Sequence, residues 1–366
     1  MSGGSPPRRS DAGAAEVGFD VLVAKAPAKV NLGLFVGPQR ADGRHELASV
    51  MQSISLCDEL TLTPAASGED ELICPGVSGP EHENVALRAL RDFRAATGWH
   101  EPPASLTVVK RIPVAAGLGG GSADAAATLR LAAGASGLRE RAPLQQLAGA
   151  LGADVPAQVQ PGRWLAEGAG ERLRALPPPS AFGVLVLPSD AGLSTAAVYG
   201  ELDRQGSLRS PEQIAAFAAA LRSALCGGAA LPPTELLTND LQAPALRLQP
   251  SIEQALAQAR AAGADHVLLS GSGPTVLGLF AGQGGVERAR AAAALLSARR
   301  PAFAAEPVDE RFAAAAPRAQ AAAPRANVFA PREEVATPRK ESATPHQEAA
   351  ARRSAEGCAT IAPERL

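Results

Sequence analysis

Aromatic side chains are scarce in this chain, at 3% of residues, and only one of them is a tyrosine. Binders of single-stranded nucleic acid stack successive bases on aromatic rings, so so small a supply argues against that class. An excess of positive charge is also lacking: the formal net charge is −2, with Lys+Arg 35 against Asp+Glu 37. Neither a nucleic-acid backbone nor an anionic membrane surface would be attracted in general, so any phosphate must be held by local geometry. Cysteine is sparse and scattered (Cys57, Cys74, Cys226, Cys358), with no CxxC pair. That excludes a zinc knuckle and a disulfide framework, and fits reduced thiols in a cytoplasmic protein. No apolar run reaches the roughly eighteen residues needed to span a bilayer. Arg8-Arg9 is followed by Ser10-Asp11 and Glu16 where an export signal would place an apolar stretch.

What is present is a long chain with 46% hydrophobic and 20% charged residues, enough for a large core or two domains. Residues 1–18 offer nothing to bury and predict a disordered leader. Segments 19–25 and 30–36 alternate as strands, as do residues 53–63, with Leu56, Leu60 and Leu62 as core positions. Residues 83–97 place Val85, Leu87, Leu90 and Phe93 at helical spacing, with Gly98 as the stop. A strand follows at SLTVVKRIPV, then helices from Ser122 and at about 143–151. The triple proline 177–179 marks a domain junction. Beyond it come a strand at 182–187, helices near 211–226 and 250–262, and a strand–turn–strand in HVLLSGSGPTVLGLF. Irregular mixing of strands and helices predicts an α+β fold rather than a doubly wound sheet. From 312 to 366 large apolar residues almost vanish. Ordering each residue costs about 1–2 kcal/mol, so this Ala/Pro/Arg-rich tail is predicted disordered.

The chemistry concentrates in the stretch Pro113, Val114, Ala115, Ala116, Gly117, Leu118, Gly119, Gly120, Gly121, Ser122 and Ala123, between a strand and a helix. Glycines free backbone amides to approach an anion, and a helix start adds unpaired N–H donors and a favourable dipole. A Walker A loop would need Lys after the last glycine, and a dinucleotide fingerprint would need Gly where Ser122 stands. A tight packing turn is the reading without a ligand. Ser122 and Asp124 sit where a hydroxyl can cap the helix or reach a metal-bound phosphate.

The loop resembles the ATP-binding motif of the GHMP kinases, the group of galactokinase and the homoserine, mevalonate and phosphomevalonate kinases. Ala26-Pro-Ala-Lys29-Val-Asn31-Leu-Gly resembles their first motif and Leu269-Ser-Gly-Ser-Gly-Pro-Thr275 their third, in the same order. Arg40-Ala-Asp42-Gly-Arg44-His45-Glu-Leu and Leu151-Gly-Ala-Asp154-Val-Pro156 are similar to the branch that phosphorylates a cytidyl-diphosphate sugar alcohol on the non-mevalonate route to isoprenoids. The resemblance spans about 19–310. It implies a two-domain GHMP kinase fold: an N-terminal ribosomal-protein-S5-like domain at 19–176 and a ferredoxin-like α+β domain at 177–311. ATP, with Mg²⁺, and a small-molecule substrate would share the cleft, in a monomer or homodimer binding neither nucleic acid nor membrane. By the same resemblance Lys29 and Asp154 are catalytic, Asp154 as base on the acceptor hydroxyl. Asn31, His45, Thr195 and Tyr199 bind substrate, and Ser122 is the candidate metal ligand. Read alone, Lys29 is a solvated strand-edge lysine, Asp154 a helix N-cap, Asn31 a turn residue and Tyr199 a core ring. Arg44 stands where the family carries an aromatic residue; its guanidinium plane can stack on the base instead. Rival readings are another GHMP kinase acting on homoserine or mevalonate, a dinucleotide-dependent oxidoreductase, and a binding protein without activity.

Overall fold

Two long antiparallel strands carry the framework, β1 (Leu22–Gln39) and β2 (His45–Pro64). The computed structural model describes residues 19–77, 79–189 and 191–318; the leader 1–18 and the chain from 319 onward lie outside the described residues. Strand β1 runs unbroken through Pro27, where the sequence predicted two separate strands. Proline cannot donate to a ladder and is tolerated at bulges. Here the register of β1 on β2 shifts between Pro27 and Ala28, which accommodates the missing donor. The same irregularity leaves Leu56 half-buried, while Leu60 and Leu62 are fully enclosed as their alternation requires.

The outer part of β2 pairs with β4 (Ala104–Val109), and β4 pairs with β3 (Glu71–Ile73). Its inner part pairs with β5 (Arg163–Gly168), which continues as a hairpin into β6 (Arg172–Ala175). Helix α1 (Val85–Thr97) begins after Asn84, whose side chain accepts from the Ala86 amide, two residues later than expected, and ends at Gly98 in the left-handed conformation, the stop its sequence predicted. Helix α2 (Gly120–Ser136) lies against α1 and β1 and is largely buried, its alanines allowing close approach. Helices α3 (Ala142–Leu151) and the short α4 (Val155–Val159) follow, the latter starting where Asp154 reads as an N-cap.

A second sheet holds β7 (Phe182–Leu187), β8 (His266–Leu269), β9 (Val276–Ala281) and β10 (Phe303–Ala305), in the order β10-β7-β9-β8. Helices α8 (Ile252–Ala261) and α9 (Gly285–Ser297) pack on it, while α5 (Thr195–Gln205) meets α7 (Gln242–Leu248). Helix α6 (Pro211–Leu225), opened by a Ser210–Gln213 capping box, crosses back onto β1 and β2. The triple proline 177–179 lies between β6 of the first sheet and β7 of the second.

One expectation is corrected. Residues 312–318, assigned from composition to the disordered tail, are built into the fold. Strand β11 (Ala316–Pro317) pairs with Leu22 and Val23 at the start of β1. The Phe312 ring lies 4.3 Å beneath the Lys25 ammonium, and Ala313 is completely buried. Backbone pairing and one cation–π contact suffice where apolar side chains are few.

Candidate active site

Strand β4 ends at Val109, and the chain turns through Pro113–Gly119 into α2. Gly119 is the N-cap of that helix at φ 68°, and Ala115 takes φ 55°, a left-handed value that costs a non-glycine residue about 1 kcal/mol. The turn frames a cavity of ≈ 550 Å³ lined by Pro113–Ser122 together with Cys74, Asn84, Lys110 and Asp124. A second cavity of ≈ 340 Å³ is lined by Lys29, Asn31, Asp154, Thr195, Tyr199 and Ser272, among others. Both cavities include Gly117, Gly119 and Ser122 in their walls. A phosphate bound at the loop therefore faces whatever fills the second cavity.

Lys29 and Asn31 project from the same face of β1, as the period of two requires. Neither is solvated: Lys29 is 8% and Asn31 6% exposed. The Lys29 ammonium donates to Asn31 Oδ1 at 3.0 Å and lies 3.4 Å from Asp154 Oδ2. Asn31 in turn donates to Ser49 Oγ at 2.8 Å, and Ser49 donates to the Gly33 carbonyl at 2.8 Å. Asp154 does occupy the N-cap of α4, yet its side chain makes no capping bond. Its carboxylate turns to Lys29 instead. A Cβ on Gly119 would meet Lys29 Cγ at 2.9 Å, and one on Gly117 would meet the Gly273 carbonyl oxygen at 2.6 Å. Those contacts, with Ser270 Oγ donating to the Gly117 carbonyl at 3.2 Å, bring the three glycine-bearing motifs to one place.

In the wall of the second cavity, Thr195 shares a 2.9 Å hydrogen bond with Ser272. The Tyr199 ring lies 5.1 Å from that of His45. Enclosure of the tyrosine, with a smaller contribution from the Asp154 charge, pushes its phenol up to about 12, so it stays a neutral donor. His45 is buried behind Tyr199 with Nε2 2.8 Å from Asp203 Oδ1. Arg44 does not stack there. Its guanidinium donates to Asp42 Oδ2 at 3.2 and 2.9 Å and is half exposed, because the tight turn brings Asp42 within reach first.

Comparison with known proteins decides what this arrangement belongs to. Residues 84–162 match the model of the GHMP kinases N terminal domain and 212–297 that of the GHMP kinases C terminal domain. A 4-diphosphocytidyl-2-C-methyl-D-erythritol kinase of Anaeromyxobacter dehalogenans is 41% identical over 76% of this chain and 86% of its own length. One of the same name from Streptomyces avermitilis is 42% identical over 69% and 86%. The chain belongs to the GHMP kinase family. It is an ATP-dependent kinase. A crystal structure of 4-(cytidine 5'-diphospho)-2C-methyl-D-erythritol kinase superposes with TM-score 0.63 at 34% identity, covering 78% of this chain and 98% of that one. A homoserine kinase from Cytophaga hutchinsonii, at 16% identity and TM-score 0.63, shares the fold alone.

Sequence reasoning passed over one cluster of this kinase. Lys110, in the wall of the loop cavity, is clasped by Asp58 Oδ2 at 2.5 Å and Asp124 Oδ2 at 2.6 Å. Asp58 also accepts from the backbone amides of Arg111 and Ile112 at 2.5 and 2.8 Å. Asp124 Oδ1 has no partner among the described residues. Burial pushes the Asp124 carboxyl up to about 8, against the pull of Lys110. One cation serves two buried carboxylates, of which Asp124 is the less well satisfied. The available signals were a charged residue within β2, one just past the end of β4 and one in the otherwise apolar start of α2.

Proposed function

We propose that this kinase transfers the γ-phosphoryl group of ATP to the 2-hydroxyl of 4-diphosphocytidyl-2-C-methyl-D-erythritol, a step on the non-mevalonate route to isoprenoids. The observation that carries the reading is the Lys29–Asp154 pair, 3.4 Å apart, in a cavity that shares Gly117, Gly119 and Ser122 with the glycine-rich loop. Phosphoryl transfer to an alcohol needs positioning, charge stabilisation and an acceptor for one proton. Asp154 takes the hydroxyl proton as the oxygen attacks phosphorus and the bond to the leaving ADP oxygen breaks. Lys29, fixed by Asn31, stabilises charge on the phosphoryl oxygens. The loop amides from Gly117 to Ser122 hold the phosphates.

Support for the cytidyl substrate comes from the relatives of that name and from the Tyr199 ring in the cavity wall, on which a base can stack. We assign His45 to fix Tyr199 and the base end, and Thr195 and Asn31 to contact the substrate. Mg²⁺ accompanies ATP and neutralises phosphate charge. The Ser122 hydroxyl, in the walls of both cavities, would serve it as an oxygen ligand. The deciding experiment is ADP release measured side by side with the cytidyl substrate, homoserine and mevalonate. Turnover with the first alone is expected; preference for either of the others would replace the substrate assignment.

A further inference from the structure

Asp154 sits on α4, a helix of 5 residues, too short to hold its own position. What fixes it is a buried polar network that neither cavity uses. Gln158, 1% exposed, reaches from α4 to β1, where its Nε2 donates to the Pro27 carbonyl at 2.9 Å. Its Oε1 accepts from Ser53 Oγ on β2 at 3.3 Å. Pro27 lies at the register shift of β1 on β2, two residues before Lys29. Arg130 of α2 closes the network from behind: NH1 donates to the Gln158 carbonyl at 2.5 Å and NH2 to the Lys25 carbonyl at 2.8 Å. Nε donates to the Ala313 carbonyl at 3.1 Å. One guanidinium thus joins the phosphate-loop helix, the carboxylate helix, the lysine strand and the segment before β11.

We propose that Gln158 and Arg130 are positioning residues that set the Lys29–Asp154 separation, the inference resting on Asp154 as the base. Burying the Gln158 carboxamide is unfavourable unless its bonds are made, and the half-buried Arg130 guanidinium adds three bonds to main-chain carbonyls. An apolar residue at 158 would place no such demand on geometry and would take the Gln158 partner from the Pro27 carbonyl and the Ser53 hydroxyl. The bonds specify where α4 lies along β1, and a shift of about 1 Å between reacting groups is worth up to about a hundredfold in rate.

The test is Gln158→Met, which keeps side-chain length and volume, assayed alone and combined with Asp154→Asn. We expect kcat to fall about tenfold or more, with KM for ATP within about twofold and ATP still raising the melting temperature. In the Asp154→Asn background the same change should add less than about twofold, because nothing remains to be positioned. Normal kcat in Gln158→Met overturns the inference, as does an equal loss in both backgrounds. Should Gln158→Met fail to fold, Arg130→Lys, which cannot bridge all three carbonyls, gives the same readings with the same consequences. Near-normal turnover in Asp154→Asn alone would instead remove the base, a failure of the functional reading and not of the packing argument.

Discussion

The Lys29 ammonium donates to Asn31 Oδ1 at 3.0 Å and stands 3.4 Å from Asp154 Oδ2, so its position is fixed from β1 before any substrate arrives. Preorganisation of this kind stabilises developing charge without reorganisation at the moment of transfer. Asp154→Asn keeps the shape and removes the proton acceptor; kcat should drop by about 10²–10⁴ with ATP affinity retained. Lys29→Met should lower kcat comparably. Steady-state ADP release, with nucleotide protection in a melting assay, checks both, and turnover near the starting level in either variant would remove that residue from the chemistry.

The base end separates two neighbouring side chains. Tyr199 lines the cavity, whereas Arg44 is spent on Asp42. Tyr199→Ala should raise KM for the cytidyl substrate by the equivalent of about 1–3 kcal/mol while leaving KM for ATP alone. Arg44→Ala should change KM less than about twofold. A large effect of Arg44→Ala would mean that the guanidinium leaves Asp42 when substrate binds.

Gly119 has φ 68°, and its missing Cβ leaves 2.9 Å to Lys29 Cγ. Gly119→Ala combines roughly 1 kcal/mol of backbone strain with displacement of the lysine stem. The fall in kcat should exceed about tenfold while the melting temperature moves only a few degrees. Equal activity in the alanine variant would show that Lys29 has room to give way.

Asp124 supplies a pH signature. Its carboxyl is pushed up to about 8 in the fold from an ordinary value of 3.8, so the native state holds a proton that the unfolded chain has released. Stability from this group is present at low pH and is lost as pH rises from about 4 towards 8. Asp124→Asn mimics the protonated form and should flatten that slope. Melting curves between pH 5 and pH 9 test it: parallel decline of both proteins would place the proton elsewhere.

Two truncations distinguish the built end of the chain from its continuation. Removing 319–366 should leave activity and melting unchanged, given a composition with little to bury. Removing 312–366 also takes away β11, the Phe312–Lys25 contact and the Arg130 bond to Ala313, and should cost roughly 1–3 kcal/mol. If both truncations melt alike, the strand pairing at Leu22 and Val23 contributes nothing measurable.

Local signals carried much of this molecule. Gly98 ends α1 as read, because a left-handed stop acts within one turn of chain. The apolar run Phe182–Leu187 became β7 as read, and the glycine-rich loop could be placed between a strand and a helix from its own residues. Strand β1 was less legible, since the bulge that admits Pro27 depends on its partner β2. The segment 312–318 misled because its order rests on backbone pairing, to which composition is blind.

By itself the sequence determined the phosphate loop, the motif order and the residue types at 29, 31 and 154, since glycine conformation and strand periodicity are properties of neighbouring residues. The tertiary structure alone decided that Asp154 faces Lys29 instead of capping its helix, that Asp42 holds Arg44, and that Lys110 joins Asp58 to Asp124. Each of those is a choice among partners far apart in the chain or of equal local merit. Only the assembled packing and the shared low dielectric settle such a choice.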